Sequence, residues 1–151
     1  MAATPGSGWL IVGGAASVAA ALLHLMAIVG GGKWYRFLGA GEKLARAVER
    51  GDRSPALLTL GIAITLMVWA AYAFSGAGLI GPMPLLRTGL VVIALVCLGR
   101  GLAVLAPKAW RPDLSFSFKL WSSLIVLGIG TAYAVGTWQA WPHLSHKETR
   151  A

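Results

Sequence analysis

WLIVGGAASVAAALLHLMAIV, residues 9–29, contains no Asp, Glu, Lys or Arg. Wound as a helix, it is long enough to cross the ~30 Å hydrocarbon layer of a bilayer, which takes about 20 residues. Three more apolar runs of similar length follow at 56–73, 85–105 and 120–138. With 57% hydrophobic and 12% charged residues, the 151-residue chain lies far from the balance of a water-soluble domain. The expected fold is all-α, a polytopic membrane protein built as one four-transmembrane-helix bundle over 1–151. Four spans leave no room for a separate soluble domain.

The segment MAATPGSG before the first run has no positive charge, and that run is longer than the apolar part of a signal peptide, so the first run is read as a retained helix. The single cysteine, Cys97, falls inside the third run and has no partner for an intrachain disulfide or a thiol metal site.

The net charge of +8 is unevenly placed. Lys33, Arg36, Lys43, Arg46, Arg50 and Arg53 crowd the first connection, and Lys108, Arg111 and Lys119 occupy or border the third. The other side has Arg87 at a helix start and Lys147 and Arg150 in the tail. Short cytoplasmic loops retain positive charge, so both termini are expected outside the cytoplasm and the first and third connections inside it. The charge is therefore mostly a topology signal, with attraction to anionic lipid second, and nucleic acid is excluded as a partner.

Between the first two spans, residues 40–50 read as a short interfacial amphipathic helix. Ala40, Leu44, Ala47 and Val48 fall on one side, and Glu42, Lys43, Arg46, Glu49 and Arg50 on the other. Glu42 to Arg46 and Glu49 to Arg53 have the favourable i to i+4 order. Ser54-Pro55 marks a helix start, Ser54 as its cap, and GPMP and APKAWRPDLS break the later spans. GGGK lacks the remaining residues of a phosphate loop, and Gly39-x-Gly41 continues to Leu44 where a dinucleotide fingerprint needs glycine. These glycines instead let the chain turn from a spanning helix to a surface helix, with Trp34 and Tyr35 at headgroup level.

Small residues every fourth position mark close helix contacts: Gly13, Ser17 and Ala21 in the first span, Gly128, Ala132 and Gly136 in the fourth. His24 shares the first of these faces and so points away from lipid. Arg100 is the other ionisable residue well inside a span. Both lie about six residues from the cytoplasmic ends of their helices, a depth of ~9 Å. Ser122, Ser123 and Thr59 approach the same level. An arginine at a span centre costs roughly 2.5–3.5 kcal/mol on insertion scales, so such residues have partners or work to do.

The expectation is a polar pocket open to the cytoplasmic leaflet. Arg100 would hold an anionic or carbonyl group, His24 would donate, accept or relay a proton, and Tyr35, Arg36 and Glu42 would close the mouth. The competing expectation is that Arg100 snorkels to headgroups while His24 bonds a neighbouring helix. Arg87 is expected to snorkel at the outer surface, and Trp9, Trp69, Tyr72, Trp138 and Trp141 to form an aromatic belt there. One intramembrane histidine does not make a bis-histidine haem site. His143 and His146 read as a solvated tail, and no cofactor is indicated.

In length, span number and the segment HLMAIVGGGKWYRFLGAGE, residues 24–42, the chain resembles small four-helix bacterial inner-membrane proteins, DoxX-like proteins among them. The resemblance implies an inner-membrane location but carries no catalytic residue. A small multidrug-resistance carrier is disfavoured, because the first span lacks the embedded glutamate such carriers use. The leading functional expectation is a noncatalytic membrane protein that binds a lipid or another hydrophobic small molecule, a second copy of itself or a partner membrane protein. An enzyme acting on an isoprenoid, sterol or quinone-like substrate is the alternative, and a proton-linked transporter the third.

Overall fold

The computed structural model describes residues 5–106 and 115–148. Lys108, Arg111 and Arg150, which entered the charge asymmetry, lie outside them, as do the side chains of His146 and Lys147. The described residues form five α-helices: α1 (Ser7–Phe37), α2 (Glu42–Glu49), α3 (Ser54–Ala77), α4 (Leu86–Leu102, prolonged by the 3-10 turn Ala103–Leu105) and α5 (Phe116–Glu148). α1, α3, α4 with its turn, and α5 are each long and apolar enough to cross a membrane, making this a multi-pass helical membrane protein. Outward side chains such as Leu22, Leu57 and Ile125 are accordingly apolar and exposed.

Three of the spanning helices, α1, α3 and α5, run beyond the apolar stretches read from sequence, whereas α4 with its turn covers 86–105 of the expected 85–105. α1 continues past Val29 but is broken at Gly31, whose φ of 66° and ψ of −157° are open to glycine and strained for other residues. Residues 32–37 therefore leave at an angle, the turn expected from the glycine run. Gly39 (φ +68°) then closes the helix. Its amide bonds the Arg36 carbonyl at 3.0 Å, and the Ala40 amide bonds that of Tyr35 at 2.8 Å, the paired bonds of a Schellman end.

α2 covers 42–49 of the expected 40–50 and lays Ala45 against Ala27 and Tyr35. At the start of α3 the expected capping role of Ser54 is corrected. The acceptor is Asp52, whose Oδ1 receives the Ser54 amide at 2.9 Å and its hydroxyl at 2.7 Å. Ser54 is already inside the helix, one place before Pro55.

The four spans form an up-down-up-down square. α1 lies along α3, with α2 in their connection, and α4 lies along α5. These two hairpins meet through α1 and α5 and, more briefly, through α3 and α4 and across the α3–α5 diagonal. The backbones of the other diagonal pair, α1 and α4, stay more than 8 Å apart, Cα to Cα, among the described residues.

Packing is concentrated at the end that holds the termini, where Leu10, Leu86, Leu90, Tyr133 and Leu144 are fully buried. Gly136 admits α1 so closely that a Cβ there would lie 2.8 Å from Leu10 Cγ. Gly13, Ser17 and Ala21 are buried as expected, and so are Ala132 and Gly136. Gly128 is not. It is exposed with nothing within 4 Å of its face, and the buried small stripe runs Ala132, Gly136, Ala140 instead. A four-residue stripe drifts ~40° per step on a 3.6-residue helix, and the close α1–α5 contacts, Ser17 with Tyr133 and Leu10 with Gly136, lie on the terminal side of Gly128.

Candidate functional site

Toward the α2 end the two hairpins diverge and leave a cleft of two overlapping lobes. The deep lobe, about 390 Å³, reaches Ser17, Trp69, Cys97, Arg100 and Ile129. The shallow lobe, about 510 Å³, reaches Ala27, Tyr35, Leu44, Leu58, Thr59 and Trp121. Ala20, His24, Leu38, Phe118, Ser122 and Val126 line both. Each volume is within the ~300–1,000 Å³ typical of small-molecule sites.

The floor is tied together by Tyr133. Its single hydroxyl proton is shared between Ser17 Oγ on α1 and the Trp69 carbonyl of α3, each 3.0 Å away. Ser17 in turn donates to the Gly13 carbonyl at 2.9 Å. One buried phenol on α5 thus joins three helices where the packed end gives way to the open one.

His24 and Arg100, paired in depth from the sequence, line the same lobe although their helix backbones do not approach within 8 Å. Nδ1 of His24 is 2.7 Å from the Ala20 carbonyl one turn back. A carbonyl only accepts, so Nδ1 carries the proton, and in the neutral ring Nε2 is the acceptor. Arg100 Nη2 approaches Ser122 Oγ at 3.5 Å, the long limit of a hydrogen bond. Arg100 N–H and Ser122 O–H donors and the His24 Nε2 acceptor therefore come from three helices, among walls that are otherwise largely apolar.

The other expected site residues divide. Tyr35 and Thr59 do line the shallow lobe, but their hydroxyls are already engaged. Thr59 Oγ1 donates to the Pro55 carbonyl at 2.8 Å, and the Tyr35 hydroxyl is 2.8 Å from Thr59 Oγ1 and 3.2 Å from that same carbonyl. They clasp α1 to α3. Ser123 is buried, does not line the cleft, and its Oγ has no hydrogen-bond partner among the described residues.

Arg36 and Glu42 stand outside the cleft. The Arg36 guanidinium bonds Glu42 through Nε at 2.8 Å and Glu49 through Nη1 at 2.6 Å, strapping the end of α1 to both ends of α2. Glu42 also accepts from Arg46 Nε at 2.8 Å, the i to i+4 pair read from sequence. Glu49 pairs with Arg36 rather than Arg53, because the turn after Gly31 brings residues 32–37 across α2. Arg36, and then Arg46, hold the Glu42 carboxyl down at about 2, and Arg36 likewise lowers that of Glu49. A route from Glu42 to Arg100 is not made.

Two surface expectations are also corrected. Arg87 folds onto α5, with its guanidinium 4.4 Å from the centre of the Trp141 ring and Nη2 donating to the Trp141 carbonyl at 2.8 Å. Trp9, Trp138 and Trp141 are exposed as belt residues would be, but Trp69 turns inward to the deep lobe.

Sequence reading missed Tyr133, Trp69, Phe118 and Trp121 as parts of this region. Tyr133 had a signal, since it adjoins the small stripe at Ala132 and Gly136 and is a polar-tipped residue deep in a span. Phe118 had none, because it precedes the apolar run that marked the fourth span. Among the described residues, no three His, Cys, Asp or Glu side chains gather as metal ligands. Compared with known protein families, curated proteins and solved structures, the chain matches none.

Proposed function

We propose that this protein binds a lipid-like or other hydrophobic small molecule in the cleft, with the polar end of the ligand between His24, Arg100 and Ser122 and its apolar body along both lobes. One observation carries the reading: His24 and Arg100, on two helices whose backbones do not approach within 8 Å, line one largely apolar space of about 390 Å³. Polar side chains at membrane depth mark such cavities. Arg100 donates to a carbonyl or anionic oxygen, Ser122 adds a hydroxyl, and Nε2 of His24 receives a ligand donor.

We propose that the chain sits in a bacterial inner membrane with both termini outside the cytoplasm. Support comes from Lys33, Arg36, Lys43, Arg46, Arg50 and Arg53, all carried by the end of α1, α2 and the turn into α3. The cleft then opens toward the cytoplasmic leaflet.

Native mass spectrometry of the protein purified in mild detergent tests the reading. The wild type is expected to retain a stoichiometric small molecule that His24→Ala and Arg100→Ala lose. No retained molecule in the wild type, or unchanged retention in both variants, overturns it. A protein mass in place of a small molecule would assign the cleft to a partner subunit.

The fixed Nδ1 of His24 favours a second reading, a membrane-embedded enzyme, because it presents Nε2 as a proton acceptor beside a carbonyl-polarising arginine. In that case the extracted molecule is converted on incubation with wild type but not with His24→Ala.

A further inference from the structure

Phe118 stands apart from the other lining residues because it borders three spaces. It lines both lobes of the cleft and also a surface vestibule of about 440 Å³ that holds the Arg36–Glu42 pair. Gly39 is the other residue common to all three. The ring of Phe118 lies where a side chain at Gly39 would be, so closely that a Cβ there would overlap it. Of the named contacts between the two hairpins, this is the one at the mouth. The others, Tyr133 with Ser17 and Trp69, Leu10 with Gly136, and Tyr72 with Gly89, lie at the floor or in the packed end.

We propose that Phe118 is the gate through which the ligand passes between the vestibule and the cleft. This rests on the reading of the cleft as a ligand site. Three features suit the residue to the task. Its backbone is fixed, since the Phe118 amide donates to Ser115 Oγ at 3.2 Å and the Lys119 amide to the Ser115 carbonyl at 3.1 Å, so Ser115 caps α5. Its ring is held by apolar contact alone and turns about side-chain bonds, a motion that needs no helix to shift. The seat it occupies is a glycine that the Schellman turn already requires, so the closed position exists because no Cβ fills it. In its present position the ring stands between the charged vestibule and the His24–Arg100 lobe. With the ring turned aside, they join, and a ligand moves from headgroup level to the cleft.

Cys97 supplies the test, being the only cysteine of the chain, 3% exposed and on the wall of the deep lobe. The full-length protein in lipid nanodiscs is treated with an anionic sulfonate-bearing methanethiosulfonate, which travels through water, and in parallel with N-ethylmaleimide, which also enters from lipid. Phe118→Ala is expected to raise the rate of Cys97 modification by the anionic reagent about tenfold by populating the open state. Phe118→Leu should give an intermediate rise, and N-ethylmaleimide should change less than about twofold. An unchanged anionic-reagent rate in both variants overturns the gate. So does an equal rise for both reagents with a lowered melting temperature, which would mean general loosening. Because the readout needs no bound ligand, the gate can fail while ligand retention holds, and the reverse.

Discussion

The two ends of the bundle are built from the same four helices and are packed differently. At the terminal end, Leu10, Leu86, Leu90 and Leu144 interlock across a close approach at Gly136, and the helices meet side chain to backbone. At the α2 end the same helices part around His24, Arg100 and the aromatic rings of Phe118 and Trp121. In a bilayer, helices gain little from burying apolar surface against one another, because lipid tails solvate that surface as well. Close packing is then needed only somewhere along the bundle. One sealed half can hold the fold while the other half stays open.

The largest effect expected from this contrast is on stability. Leu10→Ala should cost roughly 2–5 kcal/mol, the range for a fully buried leucine in a site that cannot collapse. Ile125→Ala, in the wall of the cleft, should cost less than about 1 kcal/mol because its side chain is 62% exposed and meets open space. Unfolding titrations in sodium dodecyl sulfate measure both, and equal losses would break the division into a sealed and an open half.

Tyr133 sits on the boundary between them. Tyr133→Phe keeps the ring against Gly13 and removes the bonds to Ser17 and the Trp69 carbonyl, so about 0.6–1.7 kcal/mol should be lost in the same assay. The variant should also loosen the cleft floor, seen as faster N-ethylmaleimide modification of Cys97 than in wild type. A stability loss without a change at Cys97 would move the boundary away from Tyr133.

The smallest effect belongs to the exposed strap at the open end. The folded carboxyl of Glu42 titrates at about 2, below its ordinary 4.5, so its contribution is complete above 4.5 and is lost as the pH falls toward 2. Lowering the pH through that window should release α2, read as faster proteolysis after Lys43 and Arg46 by an acid-tolerant protease. Glu42→Gln should weaken that pH dependence to the share carried by Glu49 and leave the packed end unaffected.

How much of this was legible in sequence follows the same division. Four spans, the break in the glycine run and the surface helix were readable because each rests on local chemistry: apolar length, backbone freedom and helical periodicity. The shared depth of His24 and Arg100 was readable because topology fixes depth. Lateral position was not. Nothing local distinguishes Trp69, which faces the cleft, from Trp138, which faces outward, and nothing local directs Glu49 to Arg36 instead of Arg53. Those outcomes depend on how far the helices diverge, and divergence belongs to the assembled bundle. Gly128 shows it most directly, since a small residue in the right register is left exposed where the helices have moved apart.

The missing diagonal between α1 and α4 has a mechanical consequence. A square of four rods joined along its sides can shear. Tyr133 already ties one diagonal, α5 to α3, at the cleft floor, and the other is open. A molecule that bonds His24 on α1 and Arg100 on α4 would brace that second diagonal, so occupancy would stiffen the frame and raise its unfolding temperature with ligand concentration. The protein would then report the presence of its ligand through rigidity, with no helix needing to change its course.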